Sequence, residues 1–216
     1  MSDAPTPAFR RPLRFHPLPD DRGRGSFVPT WTGLRFYPRD PRPEEVDLRD
    51  IARGLSRQCR YAGHVAGFVS VAEHCVLVSQ LVPSLAALMH DAAEAYLTDL
   101  PRAVKRELPE YLGMEARTQR AIAARFGFEA EITPEIQAAD DAVAYLESES
   151  QTGRPFDSTN GVTDRLQEGV AARAGLQLRG LAPDAAEALF YARFTELTGR
   201  ASEDFHAHID RENQAA

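Results

Sequence analysis

The sequence predicts an all-α fold with one small β-hairpin near the N-terminus. Two observations carry this. From residue 48 onward, apolar residues recur at three- and four-residue spacing in one segment after another, the period of a helix with one buried face. Helix start and stop signals separate those segments: Ser84, Thr133-Pro134, Gly127 and Gly199. No period of 20–50 residues recurs, so the helices are not expected to stack as a solenoid.

Residues 1–30 carry six prolines and two glycines and read as an extended or disordered lead-in. In residues 31–47, Leu34, Phe36 and Tyr37 stand near turn residues and predict the hairpin. Leu48, Ile51, Ala52 and Leu55 open the first helix, and residues 57–70 form a loop with two glycines. Val71–Val82 is a strong helix with Val71, Cys75, Val78 and Val82 on one stripe. Pro83-Ser84 breaks it. Ser84 caps a helix predicted from Leu85 to about Leu97, with Leu85, Leu88, Ala92 and Ala95 or Tyr96 inward. A short helix follows Asp99 through Leu108, with Asp99 as its cap. Further helices are expected at about 110–126, at 134 to about 150, more weakly at 164–174, and at 183–197 with Ala186, Leu189, Phe190 and Phe194 on one face. Residues 151–165 read as a loop. Ser202 caps a last short helix before a fraying tail. The domain expected from this pattern is 31–200, with 1–30 as lead-in and 201–216 as a short helix and tail.

The 216 residues suit one domain of ordinary globular composition, 43% apolar and 26% charged. No run of 18 apolar residues exists, and the first twelve residues lack the apolar region of a secretory signal. A cytoplasmic location is expected, and the two cysteines are too few for a disulfide framework or a cysteine metal site. The net charge of −7 disfavours long nucleic acid as a partner, while a small phosphorylated ligand needs only a few clustered cations. Lys105 is the single lysine among 25 basic residues, which singles out its compact ammonium.

The chemistry centres on His90-Asp91, set in the apolar run LAALMHDAAEAYLTDL. Neighbours on a helix project about 100° apart, so the two meet one point only at the helix edge. His74 stands on the preceding helix. A turn near residue 83 makes the two helices antiparallel neighbours and sets the imidazoles at similar heights. Two buried histidines and a carboxylate need compensation, which a divalent cation supplies. A fourth ligand is expected from PEIQAADDAVAYLESE, where Asp140 leads and Asp141 is the rival. Two histidines with two aspartates suit Mn, Fe, Co, Ni or Zn.

The order His74, His90-Asp91, Asp140, with DIARGLSRQCRYAGH, VAEH, HDAAEAYLTDLPRAVK and AAD followed by Glu147, resembles the HD-domain metal-dependent phosphohydrolases. Within them it is similar to the branch of bacterial 5′-deoxynucleotidases and related phage nucleotide hydrolases. The resemblance covers about residues 30–150 and, more weakly, 181–197. It implies an HD-domain helical bundle and one metal held by His74, His90, Asp91 and Asp140. It implies hydrolysis of deoxynucleoside 5′-monophosphates by a metal-activated water, with deoxynucleoside triphosphate hydrolysis and a catalytically silent nucleotide-binding protein as alternatives. Glu94 and Asp99 become the proton-handling carboxylates, and Glu94 shares a helix face with Asp91 and His90. Arg60, Lys105 and His64 become the substrate-binding residues, and a homodimer or larger homo-oligomer is implied. No histidine lies between Asp91 and Asp140, which disfavours the dinuclear members. His206 and His208 read as surface residues. Cys75 reads as a small core residue pointing away from the site, and Trp31 as packing in the hairpin.

Overall fold

A computed structural model describes residues 23–152 and 174–201. The lead-in before residue 23, the loop and weak helix expected within 153–173, and the capped tail helix with His206 and His208 lie outside the described residues. The architecture is mostly helical with a two-stranded antiparallel hairpin, β1 (Val28–Pro29) and β2 (Arg35–Phe36), in which Val28 faces Phe36. The helices are α1 (Leu48–Arg57), α2 (Val71–Leu81), α3 (Leu85–Leu88), α4 (Glu94–Leu97), α5 (Arg102–Lys105), α6 (Pro109–Phe126), α7 (Pro134–Thr152) and α8 (Pro183–Thr198). No helix among the described residues is long and apolar enough to cross a membrane.

The caps explain the boundaries. Asp47 accepts from Arg49 N at the start of α1, Ser70 from Glu73 N at α2 and Ser84 from Ala87 N at α3. Thr133 Oγ1 accepts from Ile136 N at α7. Gly127 and Gly199 end α6 and α8 in the left-handed conformation.

The hub of the fold is α2. A single inward stripe was the expectation, but Val71 to Ser79 are buried without interruption, because α1, α3, α7 and α8 surround the helix. Leu48, Ile51 and Leu55 of α1, Leu88 of α3 with Met89 just after it, and Phe190 and Phe194 of α8 close one core around it. A second cluster joins Leu77, Val78, Ala87, Ile136, Ala139 and Val143 at the seam with α7. Where α1 crosses α4, a Cβ on Gly54 would come within 2.9 Å of the Ala95 carbonyl, so the crossing needs glycine. Trp31 is exposed, with the Arg53 guanidinium over its ring at 3.7 Å.

Two expected elements differ. The single helix from 85 to 97 is broken into α3 and α4 by turns at 89–93. There the backbone bonds tighten to three-residue spacing, from Ala92 N to Met89 O and from Glu94 N to Asp91 O. The His90 ring contributes, since its Nδ1 sits 2.8 Å from Ala87 O, the carbonyl an α-helix would offer to the Asp91 amide. Asp99 does not cap α5, which starts at Arg102 after Pro101 with no side-chain cap. Proline at 101 fixes the entry, and the Asp99 carboxyl is left for the site.

Asp50, beneath the hairpin, accepts from the Thr32 amide at 2.8 Å and hydroxyl at 2.7 Å. Burial pushes its carboxyl from 3.8 up to about 6, against the pull of those two bonds. The folded state therefore binds this proton more tightly than the unfolded state. The contribution is full below pH 4 and is lost as pH rises through 6, about 3 kcal/mol in all. Asp50→Asn is expected to match the wild-type melting temperature near pH 4 and to exceed it at pH 8. Calorimetric scans at the two pH values check this, and an equal or lower melting temperature at pH 8 contradicts it.

Candidate metal centre

The His74 ring projects from the middle of α2, fully buried. His90 comes from the tightened turn after α3, with its ring centroid 5.2 Å from that of His74. From α7, Asp140 places Oδ1 3.0 Å from His74 Nε2 and 3.9 Å from His90 Nε2. Asp91 places Oδ2 3.1 Å from His90 Nε2 and 3.7 Å from His74 Nε2. The broken helix accounts for the last contacts, since it lets adjacent residues 90 and 91 face one point.

Both histidines are held by their other nitrogen. His74 Nδ1 lies 2.9 Å from Glu147 Oε1, and His90 Nδ1 lies 2.8 Å from the Ala87 carbonyl. A carbonyl and a carboxylate only accept, so each Nδ1 carries a proton, and in the neutral ring Nε2 is the atom with the lone pair. Both Nε2 atoms are buried and neither forms a hydrogen bond. Two donors about 2.1 Å from one ion stand about 3.0–3.4 Å apart at octahedral or tetrahedral angles. The separations of 3.0 and 3.1 Å match that spacing. His74, His90 and Asp140 form a cluster that can hold a metal ion.

The carboxylates draw positive charge to this point. Burial opposes the charged forms, but Asp91 raises His90 and Glu147 and Asp140 raise His74. In return His90, His74 and Arg60 hold Asp91 well below the usual carboxylate range despite burial. Asp140 is lowered to about 2, chiefly by His74. A divalent cation would take the place of the protons that these ionised carboxylates draw onto the rings.

Three carboxylates line the edge. Glu94, at the start of α4, is buried, and Oε2 has no hydrogen-bond partner while Oε1 accepts from Lys105 Nζ at 2.9 Å. Burial, then Asp91 and Asp99, raise its carboxyl well above the ordinary value. Burial and Asp91 also raise Asp99, with Arg60 opposing. Asp141 lies beside Asp140, where Gln137 Nε2 reaches both, at 3.2 Å to Asp140 Oδ2 and 3.4 Å to Asp141 Oδ1.

The substrate-binding expectations fare unevenly. Arg60 reaches the cluster, with Nη1 3.6 Å from Asp91, but its Nε donates to buried Glu147 at 2.9 Å. Lys105 is clamped between Glu94 and Glu115, the latter at 2.6 Å. His64 is exposed on its loop and stands outside the cluster. Cys75 was expected to point away, yet its thiol lies within 4.8 Å of ligand atoms of His90 and Asp91. An all-round-buried α2 turns the residue after His74 toward the turn that carries His90.

Residues given no role from sequence complete the site. Glu147, fully buried, accepts from Arg60, His74 and the Tyr61 hydroxyl at 2.7 Å. It stands two helical turns beyond Asp140, and that spacing is its one signal in the sequence. Gln58 ties the end of α1 to the site, donating to Glu94 O at 2.9 Å and accepting from Asp99 N at 2.8 Å. Tyr61, Ala62 and Thr98 have φ of 59°, 51° and 81°, all left-handed and none glycine. Strain at the residues beside Arg60 and Asp99 is the pattern of a functional site.

Over 176 residues the chain is 37% identical to YfdR, an uncharacterized protein of Escherichia coli K12, covering 80% of this chain and 96% of that one. The chain belongs to the same family as YfdR. It is also 34% identical over 182 residues to an uncharacterized Rhodobacter capsulatus protein, covering 75% of this chain and 90% of that protein. No family model matches the chain. The kinship with YfdR and the Rhodobacter protein gives the extent of the shared domain; their names state no activity, so the chemistry is read from the site.

Proposed function

We propose that the protein is a metal-dependent phosphohydrolase of the HD type, acting on deoxynucleoside 5′-monophosphates. The observation that carries this reading is the pair of buried, unpartnered imidazole Nε2 atoms facing Asp91 and Asp140, with the unpartnered Oε2 of Glu94 buried at the edge. Through these four side chains the chain would hold one divalent transition ion, Mn, Fe, Co, Ni or Zn, since imidazole and carboxylate together suit that group. Such an ion, when bound, polarises a phosphoryl oxygen and brings the pKa of water toward neutrality.

The chain's own residues supply the rest. Glu147 locks the His74 tautomer and the position of Arg60 together. Lys105 fixes one oxygen of Glu94 and leaves the other to accept a proton from the attacking water. Asp99, raised by burial, is suited to give a proton to the departing ester oxygen. Arg60 presents its guanidinium to the developing charge on the phosphate.

The test is a screen of purified, metal-reconstituted protein against nucleoside mono-, di- and triphosphates, with orthophosphate separated from longer phosphate products. Orthophosphate released from deoxynucleoside monophosphates is expected. Release of tripolyphosphate from triphosphates makes the protein a triphosphate hydrolase instead. Nucleotide binding without any product makes it a silent binder.

A further inference from the structure

A residue left out of the sequence reading stands at the mouth of the metal centre. Arg102, the first residue of α5, has a side chain 53% exposed. Its Nη2 lies 3.7 Å from Asp140 Oδ2 and 3.6 Å from Asp141 Oδ1. Both distances exceed hydrogen-bond length, so the guanidinium is held by charge and not by directed bonds. The other two cations of the site are fixed from below. Arg60 is bonded to Glu147, and Lys105 is bonded to Glu94 and Glu115.

The charges around the cluster oppose an arriving anion except beside a cation. Asp91, Asp99, Asp140, Asp141, Glu94, Glu115 and Glu147 belong to the cluster and its edge, against Arg60, Lys105 and Arg102. A phosphate reaching this acidic mouth needs a cation that can turn toward it. An ion held by Asp140 would take up that carboxylate's charge and leave Arg102 with Asp141 alone. A guanidinium has two hydrogen-bonding edges, so it can keep Asp141 on one and take two phosphate oxygens on the other.

We infer that Arg102 receives the terminal phosphate dianion of the substrate, exchanging its contact with Asp140 for two phosphate oxygens. The inference rests on the phosphohydrolase reading and narrows its substrate class. A planar cation beside a divalent ion favours a doubly charged phosphate monoester over a singly charged diester.

The experiment titrates inorganic phosphate and, separately, dimethyl phosphate into the manganese-loaded full-length chain by calorimetry, for wild type, Arg102→Ala and Arg102→Lys. Metal content is measured on each. Wild type is expected to bind inorganic phosphate more tightly than dimethyl phosphate. Arg102→Ala is expected to lose about tenfold or more in phosphate affinity, the size of one charge-assisted contact, and to lose the preference, with manganese content unchanged. Arg102→Lys, which keeps the charge without the fork, falls between. Equal phosphate affinity in Arg102→Ala and wild type overturns the inference, as does a wild type that binds no phosphate. Loss of manganese in Arg102→Ala also overturns it, because Arg102 would then only be supporting Asp140. A wild type that shows the expected phosphate behaviour but hydrolyses no nucleotide overturns the phosphohydrolase reading and leaves Arg102 as a phosphate-binding residue.

Discussion

Glu94→Gln is expected to lose turnover by about 10²–10⁴-fold, the usual contribution of a general acid or base, while metal content and melting temperature stay near wild type. The substitution is close to isosteric. Glutamine keeps a carbonyl oxygen for Lys105 Nζ, now 2.9 Å from Oε1, and puts an amide where the unpartnered Oε2 stands. What is lost is the ability to take a proton. Burial and the neighbouring Asp91 and Asp99 raise the Glu94 carboxyl well above its ordinary value. The unpartnered Oε2 is the atom placed to take that proton. Elemental analysis, thermal denaturation and steady-state kinetics on one preparation separate the outcomes. Loss of metal would make Glu94 a ligand or its support. Full activity would make it a buried structural acid and pass the role to Asp99.

The helical fold was legible because its signals are local. Ser84, Thr133 and Gly127 cap or end helices through bonds within one turn, and each does so as expected. The meeting of the two histidines was legible for a related reason. His74 and His90 sit on either side of one short turn, so their meeting depends on little beyond the hairpin of two helices. The misses come from packing at long range. The break at 89–93 follows from a ring nitrogen competing for a backbone carbonyl, which no hydrophobic period records. Asp99 scored as a cap by composition, but Pro101 sets the start of α5 and Gln58, 41 residues earlier, holds the Asp99 amide.

The cations show the limit most clearly. Arg60, Lys105 and Arg102 all lie near the centre, and residue type alone says that each suits a phosphate. What distinguishes them is how firmly each is already engaged. Glu147 lies 87 positions from Arg60, and Glu115 lies 10 from Lys105 on another helix. Arg102 faces Asp140 and Asp141 across the mouth with no directed bond. The sequence contains all of these residues and none of these distances.

Removal of a ligand is expected to have the largest effect of all. His74→Ala should lose most of its metal and with it all measurable hydrolysis, because His74 Nε2 lies within 3.7 Å of both candidate carboxylates. His64→Ala should keep its metal, since that ring is exposed outside the cluster. The sharper comparison is within one dipeptide. Asp140→Asn should lower metal occupancy far more than Asp141→Asn does. Asp140 Oδ1 is 3.0 Å from His74 Nε2, and the histidines hold its carboxyl ionised, down at about 2. The Asp141 contacts are with Gln137 and Arg102 at the rim. An amide in place of a ligating carboxylate removes the negative charge that offsets the cation and keeps the size, so folding should survive in both variants. Elemental analysis after reconstitution with manganese decides. Equal occupancy in the two variants, or the reverse order, would put the fourth ligand elsewhere and remove the basis for the site as drawn.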